Sequence, residues 1–89
     1  MSSKYDLLDA VENDNIDLVK TLLKSKRAPE LLKVRDDREW GCQRTALHHA
    51  AMYDHVECCK LILNCDQGCD LITMKDKDGW TPLHLAAEI

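Results

Sequence analysis

A heptapeptide pattern recurs along this chain, and the recurrence limits what the chain can fold into. "TALHHAA" begins at Thr45 and "TPLHLAA" at Thr81, 36 residues later. Upstream, "LLDAVENDNIDLVKTLL" places Ala10 and Leu23 exactly 40 residues before Ala50 and Leu63. Each copy carries Leu followed by small residues three and four positions on: Leu7/Ala10/Val11, Leu47/Ala50/Ala51 and Leu83/Ala86/Ala87. That spacing is one face of a short helix, and its alanines let a neighbouring helix approach closely. Self-similarity at a fixed period is the signature of a stack of like units.

A second helix is expected in the first two copies, after the polar breaks "NDN" at 13–15 and "DH" at 54–55. Its apolar residues are Leu18, Val19, Leu22 and Leu23 in one copy and Cys58, Cys59, Ile62 and Leu63 in the other. This stripe is wide enough to pack on two sides. Each unit is therefore a helix–turn–helix followed by a long polar connector. Composition agrees, because the chain has no Phe, 3 Gly and 2 Pro, leaving an aliphatic core and few of the breakers that many-turned β folds need. With 45% hydrophobic and 31% charged residues it has the makeup of a globular domain.

These residues resemble the ankyrin repeat, whose signature is a 33-residue helical pair with a β-turn finger. "TPLHLAA" preceded by "DKDGW", and "TALHHAA" followed by "DHVECCKLIL", carry the resemblance strongly over 45–89 and more loosely over 4–44. It implies an all-α solenoid of stacked helix–turn–helix units with β-hairpin-like fingers. One domain over 1–89 is expected: a first repeat at about 4–44, a second at 45–80 and a partial third at 81–89. Thr45 and Thr81 suit N-caps, and Pro82 suits the first helical position, where its missing N–H is harmless. The first copy lacks that Thr, so Ser3 with Asp6 is expected to form a capping box. The excess over the family period must fall in the connectors, giving a longer loop or finger at 24–44. The resemblance also implies that His48 and His84 bond the capping Thr and the adjacent finger.

Four of the five cysteines lie within "HVECCKLILNCDQGC" at 55–69, which raises metal or disulfide readings. On a helix, Cys58 and Cys65 stand about 10.5 Å apart. A disulfide needs Cα atoms within roughly 7 Å, and zinc thiolates share a shell of about 2.3 Å radius. Core thiols are the expectation, with no metal and no cofactor. Their odd number, without a secretory signal, points to a reducing compartment, cytoplasmic or nuclear. "KDKDG" at 75–79 lacks the closing Glu of a calcium loop and reads as a turn. No phosphate-cradling loop or nucleophile motif occurs, so an enzyme is not expected. The formal charge of −4 disfavours nucleic acid, and no apolar run reaches the roughly 18 residues of a membrane span.

The expected function is therefore recognition of a protein partner. Candidate contacts are Arg38, Glu39 and Trp40 in the first finger, Lys77, Asp78 and Trp80 in the second, and Tyr53 on the concave floor. Aromatics in exposed loops are enriched in binding hot spots. Trp80 has a packing alternative, because "GWTPLH" recurs in the family, and Tyr53 could equally pack on the next repeat. The third copy carries only its first helix, so Leu83, Leu85 and Ile89 lack part of their cover. A fragment of a longer array, with self-association through that open end, is expected. The rival readings are a regulatory segment of a larger enzyme or channel, and a thiol-based metal or redox sensor.

Overall fold

Leu7, Leu8, Ala10 and Val11 are all buried, and they lie on a helix, α1 (Asp6–Glu12). The computed structural model describes residues 3–65 and 67–88, with backbone alone at Glu88. Ile89, one of the expected self-association residues, lies outside them. The chain continues through α2 (Ile16–Lys24), α3 (Ala28–Lys33), α4 (Ala46–Met52), α5 (Val56–Leu63), a 3₁₀ turn (Gly68–Thr73) and α6 (Pro82–Glu88). Helices α1, α4 and α6 pack side by side as one layer, and α2 against α5 forms the second. The fold is the expected all-α helix–turn–helix stack. Among the described residues there is no strand, and the hairpin character of the first finger is one antiparallel bridge, Asp36–Arg44.

The two complete units superpose in chemistry as well as in pattern. Asp14 and Asp54, 40 residues apart, both take left-handed backbone conformations, with φ of 53° and 59°. Aspartate tolerates that region better than most residues. The turn then lets Asn15 N–H donate to Ala10 O, and His55 N–H to Ala50 O, each at 2.9 Å. The second helices bury only half of their expected stripe. Val19, Leu22, Cys58 and Ile62 are enclosed, whereas Leu18 and Leu63 are exposed. A helix on the outside of a two-layer stack has a neighbour on one side only.

The 24–44 connector differs from the expected loop. Its extra residues form α3, with Pro29 in the first turn and Leu31 and Leu32 buried in the core. Six residues are too few to display a helical period, which is why the pattern hid it. The basic run "KSKR" at 24–27 is tied back to the first unit, since Arg27 Nη1 donates to Asp6 Oδ2 at 3.0 Å and Nη2 to Ser3 O at 2.9 Å. The capping box forms by half. Asp6 accepts from Ser3 N–H at 3.1 Å, but Ser3 Oγ accepts from Tyr5 N–H instead of the expected helical amide. Tyr5, which aligns with Thr45, takes the cap position and caps with no side-chain bond.

Thr45 and His48 form a true reciprocal box. Thr45 Oγ1 accepts from His48 N–H at 3.3 Å, and His48 Nδ1 accepts from Thr45 N–H at 3.2 Å. The far ring nitrogen, Nε2, reaches Trp80 O at 2.8 Å. One imidazole thus ties the start of α4 to the next finger. Thr81 and His84 repeat the box on α6, with distances of 3.4 and 3.2 Å. Replacing Thr45 by Ala should cost about 1–2 kcal/mol, typical of a lost cap. The expected result is a lower urea midpoint at unchanged m-value, and an unchanged midpoint would contradict the role.

Candidate functional site

The fingers are built on two buried carboxylates 40 residues apart, Asp36 and Asp76. Each folds its finger back by accepting from the amide two residues on: Arg38 N–H at 3.3 Å and Asp78 N–H at 2.9 Å. Asp76 also accepts from Trp80 N–H at 2.9 Å. In the first finger Gly41 is obligatory, because a Cβ there would lie 2.2 Å from the Asp36 carboxyl carbon. The fingers are joined to one another by Lys77 N–H donating to Cys42 O at 2.8 Å. Arg35 adds a second tie, through Gln43 O at 3.2 Å and Lys75 O at 2.5 Å.

Arg38, expected at the partner face, is largely enclosed, its side chain 18% exposed. Its guanidinium grips Asp36 through Nε at 2.8 Å and Nη2 at 2.9 Å, and Asp9 through Nη1 at 2.8 Å. It lies 4.3 Å from the Tyr5 ring centre and 5.4 Å from that of Trp40. Trp40 stands out from this base at 65% exposure. Tyr5 is fixed from the other side, its hydroxyl donating to Asp37, which also takes Lys4 Nζ at 3.0 Å. Glu39, Lys77 and Asp78 are exposed. Trp80, 36% exposed, meets His84 edge to face at 5.9 Å. Tyr53, 46% exposed, closes α4 and stacks on His49 at 6.0 Å and obliquely on His55 at 5.9 Å.

The interior ion network was missed by sequence reasoning. His49 is 1% exposed and shares Asp36 with Arg38, its Nε2 standing 2.9 Å from Asp36 Oδ2. The available signal was positional, since Asp9, His49 and Leu85 occupy equivalent places and Leu85 is buried. A polar residue at a core position demands partners. Burial pushes the Asp36 carboxyl up, but the hydrogen bonds from Arg38 and His49 together outweigh this and hold it below the usual range. For Asp76, burial is likewise outweighed, by the Trp80 and Asp78 amides and Arg44. Burial pushes the His48 and His49 imidazoles down, keeping them neutral. It pushes the Cys58 thiol up to about 11, reinforced by its bond to Asp14, and raises Cys59 as well.

Among the described residues no two cysteines are joined by a disulfide. A protonated buried thiol is a poor nucleophile and metal ligand, so Cys58 and Cys59 serve packing. Among the described residues no helix is long and apolar enough to cross a membrane.

A family model for ankyrin repeats, in three copies, matches residues 7–88. This chain belongs to the ankyrin-repeat family. Ankyrin repeats are a general protein–protein interaction module, and the family is generally non-catalytic. The human ankyrin repeat and SOCS box protein 3 is 35% identical over 78 residues, covering 88% of this chain and 14% of that protein. An ankyrin repeat-containing protein of Saccharomyces cerevisiae is 35% identical over 86 residues, 94% of this chain and 48% of that one. The regulatory subunit 12A of protein phosphatase 1 from Rattus norvegicus is 36% identical over 75 residues, 71% of this chain and 7% of that subunit. The chain thus spans less than half the length of these relatives.

The titration directions fix how this ankyrin stack responds to acid. Groups whose folded-state affinity for protons is depressed stabilise above their unfolded pKa and lose that contribution as pH falls. Urea-measured stability should therefore be greatest between neutral pH and about pH 8.5, above which the raised Cys58 and Cys59 thiols lose their contribution as the unfolded chain ionises. It should drop in a first step below about pH 6.5, the histidines, and a second below about pH 4, the aspartates. A flat profile from pH 7 to 5 would contradict neutral, buried imidazoles.

Proposed function

We propose that this ankyrin-repeat segment is a non-catalytic module that binds a protein partner through its finger tips and the concave face of its inner helices. The observation that carries this reading is Trp40, an exposed indole held on a rigid base. Its neighbour Arg38 is fixed by Asp36 and Asp9, so the ring loses little conformational freedom on binding, and preorganised aromatics make the strongest anchors. Glu39, Lys77 and Asp78 surround the finger tips with charge that selects orientation. Trp80 and Tyr53 supply further aromatic surface. Because the relatives are much longer, and one is named as a phosphatase regulatory subunit, we place this surface in the service of a larger regulatory protein. An odd number of cysteines suits the reducing cytoplasm or nucleus.

Affinity capture from a lysate, compared between variants, tests the reading. Trp40→Ala should weaken a captured interaction by about 2 kcal/mol or more, typical of a hot spot, without moving the thermal midpoint. Substituting exposed Lys20 or Glu30 on α2 and α3 should change nothing. Equal loss from both sets would sink the finger-tip assignment.

A second reading rests on the face beyond α5 and α6. Leu83 is 73% exposed and borders an apolar groove of about 250 Å³ with Leu47, Cys59, Leu63, Ile72 and Ala86. Leu85, also expected at this end, is buried instead and does not line the groove. We propose self-association of this segment through that groove. Light scattering over a hundredfold range of concentration should show a dimer, and Leu83→Asp should return the monomer. A monomeric parent at every concentration would remove this reading.

A further inference from the structure

The polar interior between α1 and α4 contains one atom whose environment is incomplete. His49 Nδ1 is fully buried and has no hydrogen-bond partner among the described residues. It points to Glu12 Oε1 at 3.7 Å, too far for a hydrogen bond. On the opposite side of the ring, Nε2 stands 2.9 Å from Asp36 Oδ2. Asp36 is a carboxylate held ionised by Arg38, so it must be the acceptor and Nε2 must carry the proton. That tautomer leaves a lone pair on Nδ1, facing a second acceptor across the gap. Two lone pairs facing each other repel unless a donor or a cation lies between them.

From this geometry we infer that His49 Nδ1 and the Glu12 carboxylate form a binding site for a zinc-class divalent cation, oriented by Asp36 from behind the imidazole. Three features support the assignment. Two ligands of one tetrahedral ion at about 2.1 Å stand roughly 3.4 Å apart, so the observed gap closes on an ion with a shift of a few tenths of an ångström. A carboxylate on the far nitrogen is the usual support of a metal-ligating histidine, fixing its tautomer and raising its basicity. The local charge also matches: of the three carboxylates around His49 and Arg38, Asp36 and Asp9 pair with the single guanidinium of Arg38, and Glu12 lies against His49. Arg44, the other nearby cation, is neutralised by Asp76 at 3.4 Å. The surplus is two negative charges, which a dication cancels.

A nitrogen–oxygen pair selects zinc and its neighbours over calcium or magnesium, which favour all-oxygen shells. Glu12 is 24% exposed, giving the ion an entry path and water for its remaining positions. Bound there, the ion joins α1 of the first unit to α4 of the second. It therefore acts as a clamp across the repeat interface, separate from the fingertip surface.

Calorimetric titration of the reduced protein with zinc chloride tests the site. The expected result is one equivalent bound, with a rise in melting temperature that grows with zinc concentration. Cobalt(II) should give a tetrahedral spectrum without thiolate charge-transfer bands. Glu12→Gln, at a partly exposed position, should abolish binding, and Asp36→Asn should weaken it about 10–100-fold. Should either variant unfold, the nitrogen spectrum of the parent decides, because zinc must shift His49 Nδ1 and leave Nε2–H protonated. Absence of binding, binding that survives Glu12→Gln, or thiolate bands with cobalt would each overturn the inference. In the last case the cysteines hold the metal.

Discussion

Everything on the finger side of this molecule depends on taking a carboxylate out of water twice. An unpaired buried charge costs several kcal/mol, so Asp36 and Asp76 dictate what surrounds them. Each gathers backbone amides from its own finger and an arginine from nearby, Arg38 for Asp36 and Arg44 for Asp76. Satisfying those demands is what closes the turns, sets Trp40 and Trp80 at the tips, and brings Gly41 against the carboxyl group. Removing Asp36 leaves Arg38 held by Asp9 alone and frees its own amide, and removing Asp76 strands Arg44 and two finger amides, so either loss would spread through a finger.

The histidines perform the complementary task along the stack. His48 accepts at one nitrogen from its own helix start and uses the other to reach Trp80 O. It therefore couples a helix cap to the next finger, 32 residues on. His49, one residue later and about 100° round the helix, points at the preceding unit through Asp36 and Glu12. Adjacent residues with the same side chain thus face opposite directions along the array. Between them they tie α4 to the preceding unit and to the finger that follows it.

Much of this was legible in the sequence because repeat proteins encode each contact twice. The Leu–Ala faces and the Thr caps of the second and third copies recur at matching places, and a recurring pattern is hard to mistake. Cys58 likewise read as a core residue, with Cys59 packed against it, once Cys58 and Ile62 were placed on one stripe, whereas Cys69 is exposed. What escaped detection occurs once. Helix α3 has no second copy, and six residues cannot show a period. Arg38 looks like an exposed fingertip cation, and only the three-dimensional meeting of Asp9, Asp36 and Tyr5 reveals that it is enclosed. Those partners are 2 to 33 positions away, a range over which sequence spacing carries no geometry.

Helix α3 also shows how such an array uncouples the count of residues from the rise of the stack. The first two units are 40 positions apart and the next 36, yet α1, α4 and α6 still lie side by side. The step between neighbours is set by the thickness of a helix and the alanines at its contact face, not by the connector length. Surplus residues that can bury two leucines of their own fold up where they are inserted. The ladder is thus tolerant to insertion in one dimension while staying rigid in the other. New recognition segments can be spliced in between units without disturbing the pitch at which all the others are displayed.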